Sequence, residues 1–182
     1  EYAEAKKYID LAAEHVKTAN DPKMWYYRGR VYLGINNTDN SKLDPEAIEK
    51  SVVSLITCLD VDERKMFKDS ARVYLMNAAI GCFIAGVNSY REKNYERANM
   101  LYSLVLKCMK YDKNKDLPRN NVSEKSIYLN LYFAAFGAND KAKSKEYLEK
   151  LIAMNYNDPN IYIYMSALQL EEKDTAAALG TI

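Results

Sequence analysis

With 182 residues and 48% hydrophobic content the chain is long enough to bury a sizeable core. Its 26 Lys and Arg against 25 Asp and Glu leave a net charge of +1 and alternate along stretches such as 141–150, so the one-signed stripe that nucleic acid needs is missing. Cys58, Cys82 and Cys108 lie far apart without C-x-x-C spacing and indicate neither a disulfide framework nor a zinc site.

Taken in chain order, the pattern predicts a first helix over 2–19, ended by Asn20-Asp21-Pro22, where Pro cannot continue a helix but suits the first turn of the next. The second helix covers 22–35. A polar turn cluster at 36–41 follows, and Asp44-Pro45-Glu46 restarts a helix to 59, with Asp44 as N-cap. After a charged connection at 60–64, residues 65–93 hold no Pro and read as one long helix of about seven turns. Its uncharged stretch, 73–90, approaches spanning length but carries Asn77, Gly81, Gly86, Asn88 and Ser89, so a buried helix and no membrane span is expected.

A very short turn at Asn94 brings in a helix over 95–111, which must pack antiparallel to its predecessor. Residues 112–122, with Leu117-Pro118 among charges and three Asn, read as the clear linker of the chain. Ser123 then caps 124–137, Asn139-Asp140 turns into 141–155, and Asn157-Asp158-Pro159 resets for 160–172. Residues 175–182 open one further helix. The expectation is an all-α chain of about nine helices and no strand.

The segments resemble one another. A bulky residue followed by Gly or Ala, then after a turn a Tyr-x-x-Ala opening, recurs in Trp25-Tyr26-Tyr27-Arg28-Gly29-Arg30-Val31-Tyr32 and in Tyr95-Glu96-Arg97-Ala98, with weaker copies elsewhere. Such self-similarity marks helix pairs that bury their apolar faces only against neighbouring pairs. Trp25-x-x-Arg28-Gly29-x-x-Tyr32 resembles the first-helix signature of the tetratricopeptide repeat at all but its Leu, and Tyr128-x-Asn130-Leu131-x-x-x-Ala135 resembles it with Tyr132 in the Gly place. The second-helix signature is matched by Tyr2, Ala5, Ile9 and Ala12 and nearly by Tyr95, Ala98, Tyr102 and Val105, with Lys141, Ser144, Leu148 and Leu151 a looser copy. Gly86 to Ala98 and Tyr132 to Ser144 both keep the family's twelve-residue step, which Gly29 to Ala47 exceeds by six.

The resemblance implies a right-handed superhelical solenoid of antiparallel helix pairs over 1–182. Its parts are a half repeat at 1–21, repeats at 22–64 and 65–111, the linker at 112–122, a repeat at 123–158 and a partial repeat at 159–182. The insertions look like those of exported cell-envelope members in Gram-negative bacteria, which implies the periplasm, with the cytoplasm as the alternative. Since Glu1 enters at once on a second-helix pattern, an upstream segment is expected, and the abrupt end at 175–182 suggests that the array continued or frays there.

Local constellations do not point to catalysis. Asp112-x-Asn114-x-Asp116 opens like an EF-hand loop, yet Leu117 stands where Gly must turn and Ser123 where a bidentate Glu is needed. His15 is the only histidine and is expected to cap the end of the first helix, and Cys82, in the slot that Trp25 holds in the first full repeat, reads as a small core hydrophobe. Glu171-Glu172 and Asp60-x-Asp62-Glu63 are adjacent charges rather than carboxyls facing one cleft. Asn36-Asn37-Thr38 and Asn121-Val122-Ser123 match the glycosylation pattern, frequent by chance in Asn-rich loops, and Gly-rich phosphate cradles are absent. The expectation is a non-enzymatic protein with no catalytic residue, cofactor or metal.

What remains is the aromatic content, 16 Tyr, 4 Phe and one Trp. In the family resembled, the first helix of each pair lines the concave face. The implied groove residues are Tyr26, Arg30 and Leu33, then Phe83, Val87, Tyr90 and Arg91, then Leu129, Phe133 and Phe136, then Tyr164 and Leu168, with Glu171 closing the series. Such a groove suits a protein or peptide segment with large side chains and some negative charge. The carboxylate clamp of chaperone-binding members would need Asn where this chain has Arg30, Val87, Phe133 and Leu168, so that specialisation is disfavoured. The alternative is a self-associating structural protein that forms homo-oligomers.

Overall fold

In the computed structural model the described residues are 1–38 and 42–181, so Asp39, Asn40 and Ser41 of the polar turn, and Ile182, lie outside them. The described residues are all helical, with no strand and ten α-helices arranged as packed neighbouring pairs. These are α1 (Tyr2–Glu14), α2 (Pro22–Asn36), α3 (Ala47–Val61), α4 (Lys68–Arg91), α5 (Tyr95–Cys108), α6 (Asp116–Arg119), α7 (Glu124–Gly137), α8 (Lys141–Ala153), α9 (Asn160–Glu171) and α10 (Thr175–Thr181), with a 3-10 turn at Met109–Tyr111. They fall into two compact units, Glu1–Ile84 with Lys107–Asn120, and Ala85–Leu106 with Asn121–Ile182.

In the first unit α2 packs on both α1 and α3. Helix α2 starts at Pro22 as expected, with Pro in the first turn, and the Asp21 carboxylate caps it, accepting from the Lys23 N–H at 2.8 Å. The close approach sits at Gly29, where an added Cβ would come within 2.5 Å of Leu55 Cγ and where the Ser51 hydroxyl donates to the Gly29 carbonyl at 2.8 Å. From α4, Ala71, Leu75, Ala78, Ala79 and Cys82 are fully buried at helical spacing. By length and composition alone α4 could cross a membrane.

Several boundaries differ from the sequence expectation. Helix α1 stops at Glu14, not residue 19, because His15 is extended and the following turn is held from outside. Thr18 donates its hydroxyl to the Ala12 carbonyl, and the Trp25 indole N–H donates to the Ala19 carbonyl at 2.7 Å. His15 is exposed beyond the helix end, its Nδ1 accepting from the Lys17 N–H at 3.2 Å rather than capping carbonyls. Helix α3 starts at Ala47 and not at Asp44, whose buried carboxylate is drawn to the Lys50 ammonium at 2.8 Å. The expected linker contains α6, because the Asp112 carboxylate accepts from the Asp116 and Leu117 N–H groups at 2.8 and 2.9 Å and Leu117 is fully buried.

In the second unit α7 packs on α8, α8 on α9 and α9 on α10. Tyr132, Leu148, Leu151, Ile161, Met165 and Leu168 form its core cluster. Gly86 gives another close approach, an added Cβ lying 2.7 Å from the Tyr102 ring. Ser123 caps α7 through a reciprocal pair with Ser126.

Three turns in this unit are built alike. Lys93, Asn139 and Lys173 each take a left-handed conformation, φ 61°, 58° and 63°, just past a helix. The next residue donates its N–H back across the helix end: Asn94 to Ser89, Asp140 to Ala135, Asp174 to Gln169, at 2.8 to 2.9 Å. Its side chain then caps the following helix, Asn94 from Arg97, Asp140 from Lys143 and Asp174 from Ala177, at 3.2, 3.0 and 3.0 Å. A left-handed non-glycine residue costs about 1–2 kcal/mol. Lys93→Gly should therefore raise the urea midpoint by an amount equivalent to about 1 kcal/mol; a lowered midpoint would show that the added freedom of the unfolded chain outweighs the relief.

Candidate interaction surfaces in the two units

The implied groove residues divide between the units. In the first unit Tyr26 faces inward, 8% exposed, edge-on to Tyr27 and Tyr74 at 5.4 and 5.8 Å and against Phe67 at 5.1 Å. Arg30 is exposed, its guanidinium carbon 5.4, 5.7 and 5.0 Å from the ring centres of Tyr26, Tyr27 and Tyr74. Phe83 is half-buried, whereas Leu33, expected in the groove, is buried at 6% exposure and offers no surface. Helix α2 turns about 100° per residue, so Leu33, seven residues on from the buried Tyr26, lies within about 20° of it and shares its inward face.

In the second unit Tyr90 and Arg91 are exposed at the end of α4, and Tyr90 packs edge-on against Tyr95 at 5.5 Å. Helices α7 and α9 build a larger aromatic surface. Tyr132 is buried and stacks on Tyr164 at 5.3 Å, while Phe133 meets Tyr164 edge-on at 6.1 Å. Phe136 lies 6.0 Å from Tyr132 and is 57% exposed. Burial first, then the neighbouring Tyr164 and Tyr90 hydroxyls, push the Tyr132 phenol up to about 12, so it stays uncharged at neutral pH. Val87 and Leu129 are half-buried beside this set in sequence, and Leu168, expected in the groove, belongs to the core cluster.

Sequence counting missed Tyr27, Phe67, Tyr74 and Tyr132. Tyr74 precedes the counted part of α4 and Phe67 lies just before that helix, and Tyr132 was assigned to a close-approach place, yet its ring is the base on which Tyr164 stacks. The signal available was the run Trp25-Tyr26-Tyr27 followed by two arginines on one turn. The first unit also holds a cleft of about 740 Å3 lined by Lys23, Asp60, Glu63, Arg64, Met66 and Phe67 among others.

Among the described residues no three His, Cys, Asp or Glu side chains gather as metal ligands, and the Asp112 carboxylate is taken up by backbone N–H groups. Cys58, Cys82 and Cys108 are buried, and burial pushes the Cys58 and Cys108 thiols up to about 12, far from thiolate reactivity at neutral pH. Comparison with family models, with curated proteins and with solved structures returns no match to this chain.

Proposed function

We propose that this chain is a tetratricopeptide-like, non-enzymatic scaffold that binds a protein or peptide segment on the aromatic faces of its first helices. The observation that carries the reading is Phe136, more than half exposed on a packed base of Tyr132, Phe133 and Tyr164. An aromatic side chain placed so is the residue type that dominates binding energy when a partner buries it. Support for the repeat reading comes from Gly29 and Gly86 at helix crossings and from the capping residues Asp140 and Asp174, 34 residues apart, which is the period of that repeat. On this reading α4 is a core helix, with its fully buried positions on one stripe, and the solenoid winds as a right-handed superhelix.

Peptides selected by display on the immobilised protein provide the test. Phe136→Ala should weaken the selected peptides about thirtyfold, the loss of a typical hot-spot aromatic worth about 2 kcal/mol. Glu149→Lys, on the exposed side of α8, should leave affinity unchanged. Equal affinity for Phe136→Ala and the parent, measured by fluorescence anisotropy, would remove this surface from the binding face.

A second reading, self-association, is favoured by α9, where Ile163, Ala167 and Leu170 are exposed at i, i+4 and i+7. Sedimentation separates the two: a concentration-dependent dimer abolished by Ile163→Glu supports association, and a monomer supports the open surface.

A further inference from the structure

We propose that Arg30, in the first unit, is a carboxylate-binding site for an acidic partner peptide whose acid lies next to an aromatic residue. Its guanidinium lies 5.0 to 5.7 Å from three tyrosine ring centres, which confines a side chain that would otherwise sample many rotamers. Tyr26 is the buried base of this platform, and Tyr27, 43% exposed, is its open edge. Cation–π contact with the rings uses the charge and not a hydrogen bond, so the N–H fork keeps its capacity for a bidentate acceptor.

The charge pattern around Arg30 indicates what it takes. Helix α2 carries Lys23, Arg28 and Arg30 and no acidic residue. Arg28 is paired, with Asp10 at 3.1 Å and the Ser54 hydroxyl at 2.7 Å. Among the described residues no ion pair or hydrogen bond engages Arg30. A fixed, exposed guanidinium with no acid of its own attracts one from a partner, and the half-exposed Tyr27 beside it offers a flat apolar contact to the neighbouring side chain.

This assignment rests on the scaffold reading but uses a surface in the other unit, so the two fail separately. Three short peptides of one apolar, aromatic sequence are compared by fluorescence anisotropy: one with Glu before each aromatic and an amidated end, its Gln counterpart with an amidated end, and the Gln peptide with a free C-terminus. The Glu peptide should bind at least tenfold more tightly than the amidated Gln peptide, and Arg30→Gln should abolish that difference. Arg30→Lys should recover only part of it, because an ammonium keeps the charge without the fork. A preference for the free C-terminus over the Glu peptide, lost in Arg30→Gln, overturns the side-chain assignment in favour of a chain-end carboxylate. Circular dichroism confirms that the variants keep their helices, as expected for an exposed side chain. Equal binding of the Glu and amidated Gln peptides, binding of none, or an undiminished Glu preference in Arg30→Gln overturns the proposal. Peptides selected on the Phe136 surface serve as the internal control and should bind Arg30→Gln unchanged.

Discussion

Gly29→Leu is expected to destabilise the first unit severely. The position is buried at the crossing of α2 and α3, and even a Cβ would lie 2.5 to 3.3 Å from three carbons of Leu55, itself fully buried. Leu55 cannot swing aside into solvent, and the hydrogen bond from Ser51 to the Gly29 carbonyl ties the helices together at that height. Relief requires the helices to separate, which costs roughly 1–3 kcal/mol or more against a total stability of about 5–15. The urea midpoint of Gly29→Leu should fall steeply, while Arg30→Ala one residue on, and Gly180→Leu with nothing within 4 Å, should stay near the parent. Unfolding of Gly29→Leu together with the parent would mean that α2 and α3 do not cross there.

That crossing was legible in the sequence because glycine in a helix flanked by bulky residues has few other uses. The caps at Asp21, Ser123 and Asp140 were legible for a similar reason: a short acceptor before an apolar run satisfies free N–H groups locally, with no help from distant residues. What escaped were features decided by tertiary partners. Residues 15–19 are compatible with helix, yet the turn there is fixed by Thr18 and by the indole of Trp25 from the next helix. Asp44 has the form of an N-cap, but its carboxylate is committed to Lys50 and to the Glu46 N–H, and the helix begins three residues later. Exposure followed the same rule: a fixed count along each first helix reached the exposed Arg30 and Phe136 and the half-buried Phe133 and Tyr164, and placed the buried Leu33 and Leu168 beside them. Such a count assumes an ideal register and cannot register which rings cover which faces.

Arg28 leads to the other large effect. Helix α1 contains no buried residue, and it meets α2 through the half-buried Tyr2, which packs against Gly34 and the Tyr32–Ile35 cluster, and through a polar cluster. The Asp10 carboxylate accepts from Arg28, from Lys6 at 3.1 Å and from the Tyr32 hydroxyl at 2.8 Å. Lys6 reaches on to Asp44 at 3.6 Å, which also binds Lys50, and the Arg28 guanidinium covers the Tyr32 ring at 4.7 Å. Burial alone would raise both carboxyls, but the Tyr32 and Lys6 bonds to Asp10, and the Lys50 and backbone bonds to Asp44, hold each below its usual range. Lys6 is raised, first by its bond to Asp10; Lys50 is raised because its bond to Asp44 outweighs burial, and burial together with Asp10 raises Tyr32. A lowered acid stabilises the fold above its unfolded pKa, about 4, and loses that contribution as pH falls through the lower folded value. A raised base or phenol contributes below its unfolded pKa, about 10, and loses it as pH rises further. The docking of α1 is therefore strongest between about pH 5 and 9 and weakens on both sides, and salt weakens it throughout because the cluster is only partly buried. Hydrogen exchange followed by mass spectrometry should show the amides of α1 losing protection below about pH 4, and at neutral pH in Asp10→Asn, while those of α3 stay protected. Asp44→Asn should cost about 2 kcal/mol, the scale of a hydrogen bond to a charged group. If α1 and α3 lose protection together under acid and in Asp10→Asn, the helix is held by the core and not by its charges.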